Sequence, residues 1–252
     1  EPEIQDLCEM LNNMGAKIRG AGTSRISIEG VNYLNGCSHE VIPDRIEAGT
    51  FLIAAAATLS AITISPVIPS HLKSLLQKLQ ESGSKIIIKN NSISIKTEKI
   101  KAVNIETAPF PGFPTDLQAP FTVLMLKATG KSIIKETIFE NRMSHIELLN
   151  KMGASIKLEN NIATVSGVQK LSGRNLKGSD LRSTAAIVIA ALAAENTSLV
   201  EGLEHLDRGY ENLEFKLKLL GANIQRDLTE NFSKISPQDN YFINDVEKLY
   251  AA

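Results

Sequence analysis

The sequence predicts an α/β (α+β) fold assembled from a repeated unit: strand, buried helix, strand, surface helix, strand, strand. Three observations predict it. One phrase recurs four times, as LNNMGAKI (11–18), LQESGSKI (79–86), LNKMGASI (149–156) and LKLLGANI (217–224), and its glycines, Gly15, Gly83, Gly153 and Gly221, are 68, 70 and 68 residues apart. Four copies at nearly constant spacing mark an internal repeat. A second phrase interleaves with the first and aligns at Asp44, Asp116 and Asp180, each followed by a run that is apolar nearly all round. Three of the four glycine phrases are also followed by a segment of alternating apolar and polar residues, RISIEG, NSISIK and NIATVSG.

Each element has a local cause. The chain opens on EPEIQDLCEML, an amphipathic helical pattern that ends at Gly15, where a left-handed C-cap is wanted. The strand after that glycine pairs with RISIEG as a hairpin, and the intervening GAGTS (20–24) is read as its turn rather than as a phosphate loop. In IPDRIEAGTFLIAAAATLSAITIS (42–65), Asp44 lies at an N-cap position and the helix after it has no polar face, so it is expected to be buried. A strand follows, then a surface helix carrying Leu72, Leu75, Leu76 and Leu79, then a second hairpin. PTDLQAPFTVLMLKATGKSIIKE (114–136) and GSDLRSTAAIVIAALAAENTSLVEG (178–202) repeat the buried-helix half at Asp116 and Asp180. The surface helix between them is marked by Ile146, Leu149 and Met152. Both ends depart from the pattern. The first copy lacks its buried helix, and after Gly221 the polar TENFSKISPQDN shows no alternation. The repeat is therefore expected to be incomplete at both ends, and the opening inside a helix without an initiator Met is what a fragment would show.

Composition excludes several classes of function. With 252 residues, 43% hydrophobic content and a net charge of −1, the chain has a core-forming composition and no basic surplus for nucleic acid or a polybasic membrane contact. The apolar run AAIVIAALAA (185–194) is about half the length that crosses a bilayer. Cys8 and Cys37 form neither a disulfide framework nor a metal spacing and read as free thiols of a reducing compartment. His39, His71, His145 and His205 likewise show no ligand spacing, so no metal is expected.

Two features concentrate chemistry. Lys outnumbers Arg 19 to 8, yet Arg45, Arg142, Arg182 and Arg208 all fall at strand-to-helix junctions of the repeat. Helix N-termini attract anions, and the guanidinium fork fits carboxylate and phosphate. The alternative for each is a pair with a neighbouring Asp or Glu at a cap. The second feature is PFPGFPTDLQAPF (109–121), which puts three Phe and four Pro around Asp116. Asp116 is either an N-cap in a stiff connection or a side chain pre-positioned as a general base; its two repeat mates have no comparable loop.

EPEI with MGAKI, PDRIEAGTF, FPTDLQA, FENRMSHI, LSG with DLR, and DRGYENLEFKLKLLGANI, in this order, resemble the enolpyruvyl transferases over residues 1 to about 228. The match is stronger to the branch acting on UDP-N-acetylglucosamine than to the branch acting on shikimate 3-phosphate. The resemblance implies two globular domains, each of three units with buried helices in an inside-out barrel, and substrates bound between them. Residues 1–42 would be the last part of the first, catalytic domain with its reactive Cys loop. Residues 43–228 would be the second domain of three repeats, and 229–252 a tail without assigned role. The reactive Cys loop and a Lys-Asn pair would lie upstream, and neither Cys8 nor Cys37 matches that loop. The upstream half of the chain, whose N-terminal strand would complete the second domain, is thus an expected partner.

By the same resemblance Asp116 is the catalytic base and contacts the sugar hydroxyl. Ile138 touches the nucleotide sugar through its backbone, Arg142 and Arg208 grip phosphoenolpyruvate, and Arg182 is a further cation of the cleft. The implied reaction transfers the enolpyruvyl group of phosphoenolpyruvate to the 3-hydroxyl of UDP-N-acetylglucosamine and releases phosphate, the first committed step of peptidoglycan synthesis in the cytoplasm. No cofactor is implied. An acceptor such as shikimate 3-phosphate, or a catalytically silent fragment that only binds nucleotide sugar, are the alternatives.

Overall fold

The computed structural model describes residues 1–168 and 170–227; the segment 229–252, and the last residue of the span 43–228, lie outside the described residues. Helix α1 (Pro2–Asn13) leads into a short antiparallel hairpin, β1 (Lys17–Arg19) and β2 (Ser27–Glu29), with Ile18 opposite Ile28. GAGTS is the turn between these strands. The recurring phrase has a physical cause. Gly15, Gly83, Gly153 and Gly221 all adopt positive φ, between 91° and 108°, which only glycine takes at little cost. Three residues before Gly15, the Asn12 side chain bonds both the amide and the carbonyl of Ile18, at 2.8 and 2.9 Å. Asn150 does the same for Ile156 three residues before Gly153, at 3.1 and 3.0 Å. The Asn locks the strand onto the end of its helix.

An irregular segment (30–44) leads to the body. Its first unit comprises α2 (Arg45–Ala57), β3 (Ala61–Ile64), a 3-10 turn, α3 (Lys73–Glu81), β4 (Lys85–Lys89) and β5 (Ser92–Lys96), with the strands in antiparallel order β3-β5-β4. The middle unit is the whole motif: β6 (Ile105–Glu106), α4 (Gln118–Leu126), β7 (Lys131–Lys135), α5 (His145–Lys151), β8 (Ser155–Glu159) and β9 (Ile162–Ser166). Its strand order is β6-β7-β9-β8, with β6 parallel to β7 and the other pairs antiparallel. The last unit has β10 (Asn175–Lys177) parallel to β11 (Leu199–Glu201), with α6 (Leu181–Leu192) between them, then α7 (Leu203–Leu206) and α8 (Leu213–Leu219). None of these small sheets closes on itself.

The core lies where the apolar runs predicted. Helices α2, α4 and α6 pack on one another at the centre, and the sheets and surface helices surround them. Leu52, Ile53, Val123, Leu124, Met125 and Ile187 are fully buried, and each such side chain contributes about 1.5–3 kcal/mol of transfer free energy. One close approach matters for the site: a Cβ at Gly49 would stand 2.5 Å from Leu117 Cδ1. The missing side chain at Gly49 lets Leu117 seat against α2 and so fixes the turn that carries Asp116. Among the described residues no helix is long and apolar enough to cross a membrane, and Cys8 and Cys37 are free thiols.

Candidate functional site

The Pro/Phe loop is a fixed platform. Phe113 is buried and meets Phe121 of α4 edge to face, 5.2 Å between ring centroids. The Ala108 amide donates to the Phe113 carbonyl at 3.0 Å, the Gly112 amide to the Pro109 carbonyl at 2.8 Å, and Ser74 of α3 donates to the Gly112 carbonyl at 2.9 Å. The loop then enters a 3-10 turn, Thr115–Leu117.

That turn corrects one expectation. Asp44 and Asp180 are N-caps, each accepting two amides of the following helix, and Asp180 also completes a capping box with Ser183. Asp116 caps nothing. The 3-10 turn places it inside the first turn, where its carboxylate points away from the amides. It accepts from two guanidiniums instead, Arg142 Nη1 on Oδ1 at 2.5 Å and Arg182 Nη2 on Oδ2 at 2.6 Å. Burial pushes the Asp116 carboxyl up, but the bonds and charges of Arg182 and Arg142 outweigh it and hold the group below its ordinary range. The Arg182 guanidinium, although burial opposes its charge, is held above its ordinary value by Asp116 and Tyr210.

Each arginine has a mount. Arg142, in the connection between β7 and α5, lies 4.1 Å from the Phe139 ring centroid and donates to Thr115 Oγ1 at 3.1 Å. Arg182, in the first turn of α6, donates to the Tyr210 hydroxyl at 3.4 Å, and that hydroxyl meets Thr50 of α2 at 2.9 Å. Arg208 stands apart. It follows the short α7 rather than a strand, is exposed, and pairs with no carboxylate among the described residues. Arg45 is spent elsewhere, its guanidinium bonded to Glu3 and Glu1 at 2.7 and 2.6 Å and lying 5.5 Å from the Phe110 ring. Arg45, like Arg142 and Arg182, is thus paired with carboxylates, but with ones distant in sequence rather than with a neighbouring acid at a cap. Ile138 lines the cleft, but its amide donates to Glu136 at 2.8 Å, so a ligand contact through this backbone falls to the carbonyl.

Asp116, Ile138, Arg142, Arg182 and Arg208 all line one cleft of about 750 Å³, which Glu3 of α1 also lines. That volume suits a nucleotide-sized ligand. A second, apolar pocket beside α7 and α8 has about 50 Å³ and shares no lining residue with the cleft. No group of three or more His, Cys, Asp or Glu able to hold a metal occurs among the described residues. Sequence reasoning missed Tyr210, Thr50, Thr115 and Glu136. Tyr210 is the last residue of DRGY, but nothing local marks its partner Thr50. Glu136, in IIKETIF, reads locally as an ordinary solvated strand end.

A family model described as EPSP synthase (3-phosphoshikimate 1-carboxyvinyltransferase) matches residues 1–237, and the chain belongs to that family. It is 65% identical to a UDP-N-acetylglucosamine 1-carboxyvinyltransferase of Prochlorococcus marinus (strain MIT 9312), covering 100% of this chain and 56% of the relative. It is 68% identical to the protein of that name from strain AS9601, over 92% of this chain and 51% of the relative. The chain thus spans about half the length of the curated relatives it matches. Among solved structures, the enolpyruvyl transferase NikO from Streptomyces tendae superposes with a TM-score of 0.77 at 24% identity, over 88% of this chain and 53% of that one. EPSP synthase from Acinetobacter baumannii gives 0.60 at 15% identity, over 83% and 48%. These likenesses show the enolpyruvyl transferase fold.

Proposed function

We propose that the protein, in its full length, transfers the enolpyruvyl group of phosphoenolpyruvate to the 3-hydroxyl of UDP-N-acetylglucosamine and releases phosphate, a reaction that would serve peptidoglycan synthesis in the cytoplasm. The observation that carries the reading is a single carboxylate, Asp116, bracketed by two guanidiniums in the lining of a nucleotide-sized cleft. Residues 1–42 are read as the end of a first domain and 43–228 as the second. The upstream half of the same chain supplies the remaining wall.

The geometry suggests how binding and chemistry are linked. A carboxylate held by two guanidiniums is ionised but a weak base. Phosphoenolpyruvate brings phosphate and carboxylate groups that compete for Arg142 and Arg182, and Arg208 adds a fork that pairs with no carboxylate among the described residues. As the guanidiniums turn to the anion, Asp116 loses the partners that lowered its pKa and keeps the burial that raises it. Its basicity rises when the sugar hydroxyl is ready to lose a proton. The sugar oxygen then bonds to C2 while C3 takes a proton from a donor outside the residues described here, giving a tetrahedral phosphorylated intermediate. A proton then returns from C3 to the group that delivered it, the C2–C3 double bond re-forms, and the bond between C2 and the phosphate oxygen breaks, its electron pair leaving with inorganic phosphate. The cations hold charge that develops at the departing phosphate.

The test is phosphate release from phosphoenolpyruvate and UDP-N-acetylglucosamine, by this chain alone and mixed with a separately made upstream half. Shikimate 3-phosphate is the control acceptor. Release only in the mixture, and only with the nucleotide sugar, is expected. Release with shikimate 3-phosphate instead would reassign the acceptor. No release from associated halves would leave a silent nucleotide-sugar-binding protein.

A further inference from the structure

Glu136, the residue after β7, is 1% exposed. A buried carboxylate ordinarily needs a cation, yet among the described residues no Lys or Arg pairs with it directly. Four hydrogen bonds serve instead. Oε1 accepts from Thr107 Oγ1 at 2.9 Å, from the Ile138 amide at 2.8 Å and from the Phe139 amide at 3.2 Å. Oε2 accepts from Thr115 Oγ1 at 2.8 Å. The backbone of Glu136 is anchored as well: its amide donates to the Asn161 carbonyl at 2.9 Å, and its carbonyl accepts from Asn161 Nδ2 at 2.6 Å. The carboxylate therefore projects from a fixed root.

Every donor belongs to a segment that carries a site group. Thr107 is the base of the Pro/Phe loop, and Thr115 precedes Asp116. Ile138 and Phe139 open the connection that bears Arg142, and the Phe139 ring lies beneath its guanidinium. Thr115 gives its only proton to Glu136, so a lone pair is left to face Arg142 Nη1 at 3.1 Å. Donation runs from Arg142 through Thr115 to Glu136.

We infer that Glu136 is a positioning residue that holds the Asp116 loop and the 138–142 segment in one geometry, acting on Ile138 directly and on Arg142 through Thr115. The kinetic consequences rest on the function proposed above, with Ile138 on the nucleotide-sugar side and Arg142 on the phosphoenolpyruvate side. The strut itself does not depend on that reading.

Two variants separate its arms. Thr115→Val keeps shape and charge but removes the relay, and Thr115→Ser restores the hydroxyl. Glu136→Gln keeps the shape but loses the charge that strengthens all four bonds. In the assembled protein, Thr115→Val is expected to raise the KM for phosphoenolpyruvate about tenfold and leave that for UDP-N-acetylglucosamine unchanged, with Thr115→Ser near wild type. Glu136→Gln is expected to raise both. In this chain without substrate, carbon-13 titration should show the Asp116 carboxyl moving up in Thr115→Val and back in Thr115→Ser. Hydrogen exchange should show the Ile138 and Phe139 amides losing protection in Glu136→Gln. Wild-type titration in Thr115→Val together with wild-type exchange in Glu136→Gln would overturn the inference. If wild-type protein turns over neither acceptor, the functional reading fails, while titration and exchange still decide the strut. Should Glu136→Gln fail to fold, Thr115→Val decides alone: an unmoved Asp116 titration would overturn the inference.

Discussion

The entrances to α4 and α6 occupy the same register of the repeat and do opposite things with an aspartate. At α6, Asp180 is folded back on its own helix: it accepts the amides of Arg182 and Ser183 at 3.0 and 2.9 Å and takes the Ser144 hydroxyl at 2.8 Å. At α4, the 3-10 turn removes the amides from reach, and Asp116 faces the cleft and two guanidiniums. The difference teaches that a capping position can be turned toward a cleft by changing the turn before the helix. The Pro/Phe loop makes that change, and the cost is a helix start without a side-chain cap.

The sharpest way to break the comparison is to remove the charge at each entrance. Asp116→Asn in the full-length protein is expected to lower turnover about 10²–10⁴-fold and leave nucleotide-sugar binding nearly intact. It should also tighten phosphoenolpyruvate binding, because the carboxylate no longer competes for Arg142 and Arg182. Steady-state kinetics and calorimetry check both, and unchanged turnover would remove Asp116 from the role of base.

The next effect is on stability and belongs to the α6 side. His145, at the start of α5, is fully buried; burial lowers its pKa to about 4 although the Asp180 charge opposes that. Unfolded, the imidazole titrates near 6.5, so as pH falls from 6.5 toward 4 the unfolded chain binds a proton that the folded chain refuses. Stability should drop over that window by up to about 3 kcal/mol, and His145→Gln should flatten the slope in urea titrations at several pH values. Asp116 acts in a different window. Its folded pKa is depressed, so its contribution is present above the ordinary 3.8 and is lost only as pH falls through the lower folded value. A midpoint that is flat between pH 6.5 and 4 would show that His145 is not held neutral.

Smaller effects sharpen the contrast. Asp180→Ala should destabilise by about 1–2 kcal/mol and Asp44→Ala by about 1 kcal/mol, the worth of a cap; thermal melts of the two variants read this directly. Smallest is Arg208→Lys, which should raise the KM for phosphoenolpyruvate about fivefold, since a point charge replaces a fork that pairs with no carboxylate among the described residues. An unchanged KM would take Arg208 out of the anion site.

Much of the fold was legible because its causes are local. Glycine at positive φ, Asn three residues before it, N-cap aspartates and all-apolar runs act within one or two turns of chain. Periodicity therefore predicted the order of elements in the middle unit, though not the 3-10 turn at Asp116, together with the burial of α2, α4 and α6. The site was legible in part. The motifs named Asp116, Ile138, Arg142, Arg182 and Arg208, and the cleft gathers all five, while their chemical roles remain the proposal. Glu136 and Tyr210 were not legible, because their importance lies in partners distant along the chain: Glu136 with Thr107 and Thr115, and Tyr210 with Thr50, 160 residues away.

By itself the sequence determined the repeat, the buried helices and the capping of α2 and α6, all of which follow from bonds and contacts between near neighbours. Only the tertiary structure decided that Asp116 leaves its cap for Arg142 and Arg182, that Arg45 is consumed by Glu1 and Glu3 while Arg208 is not paired among the described residues, and that Glu136 ties the site together. The physical reason is that a charged side chain takes whichever opposite charge or donor reaches it first in space. Local spacing fixes where a side chain starts, and the packing of α2, α4 and α6 fixes what it meets.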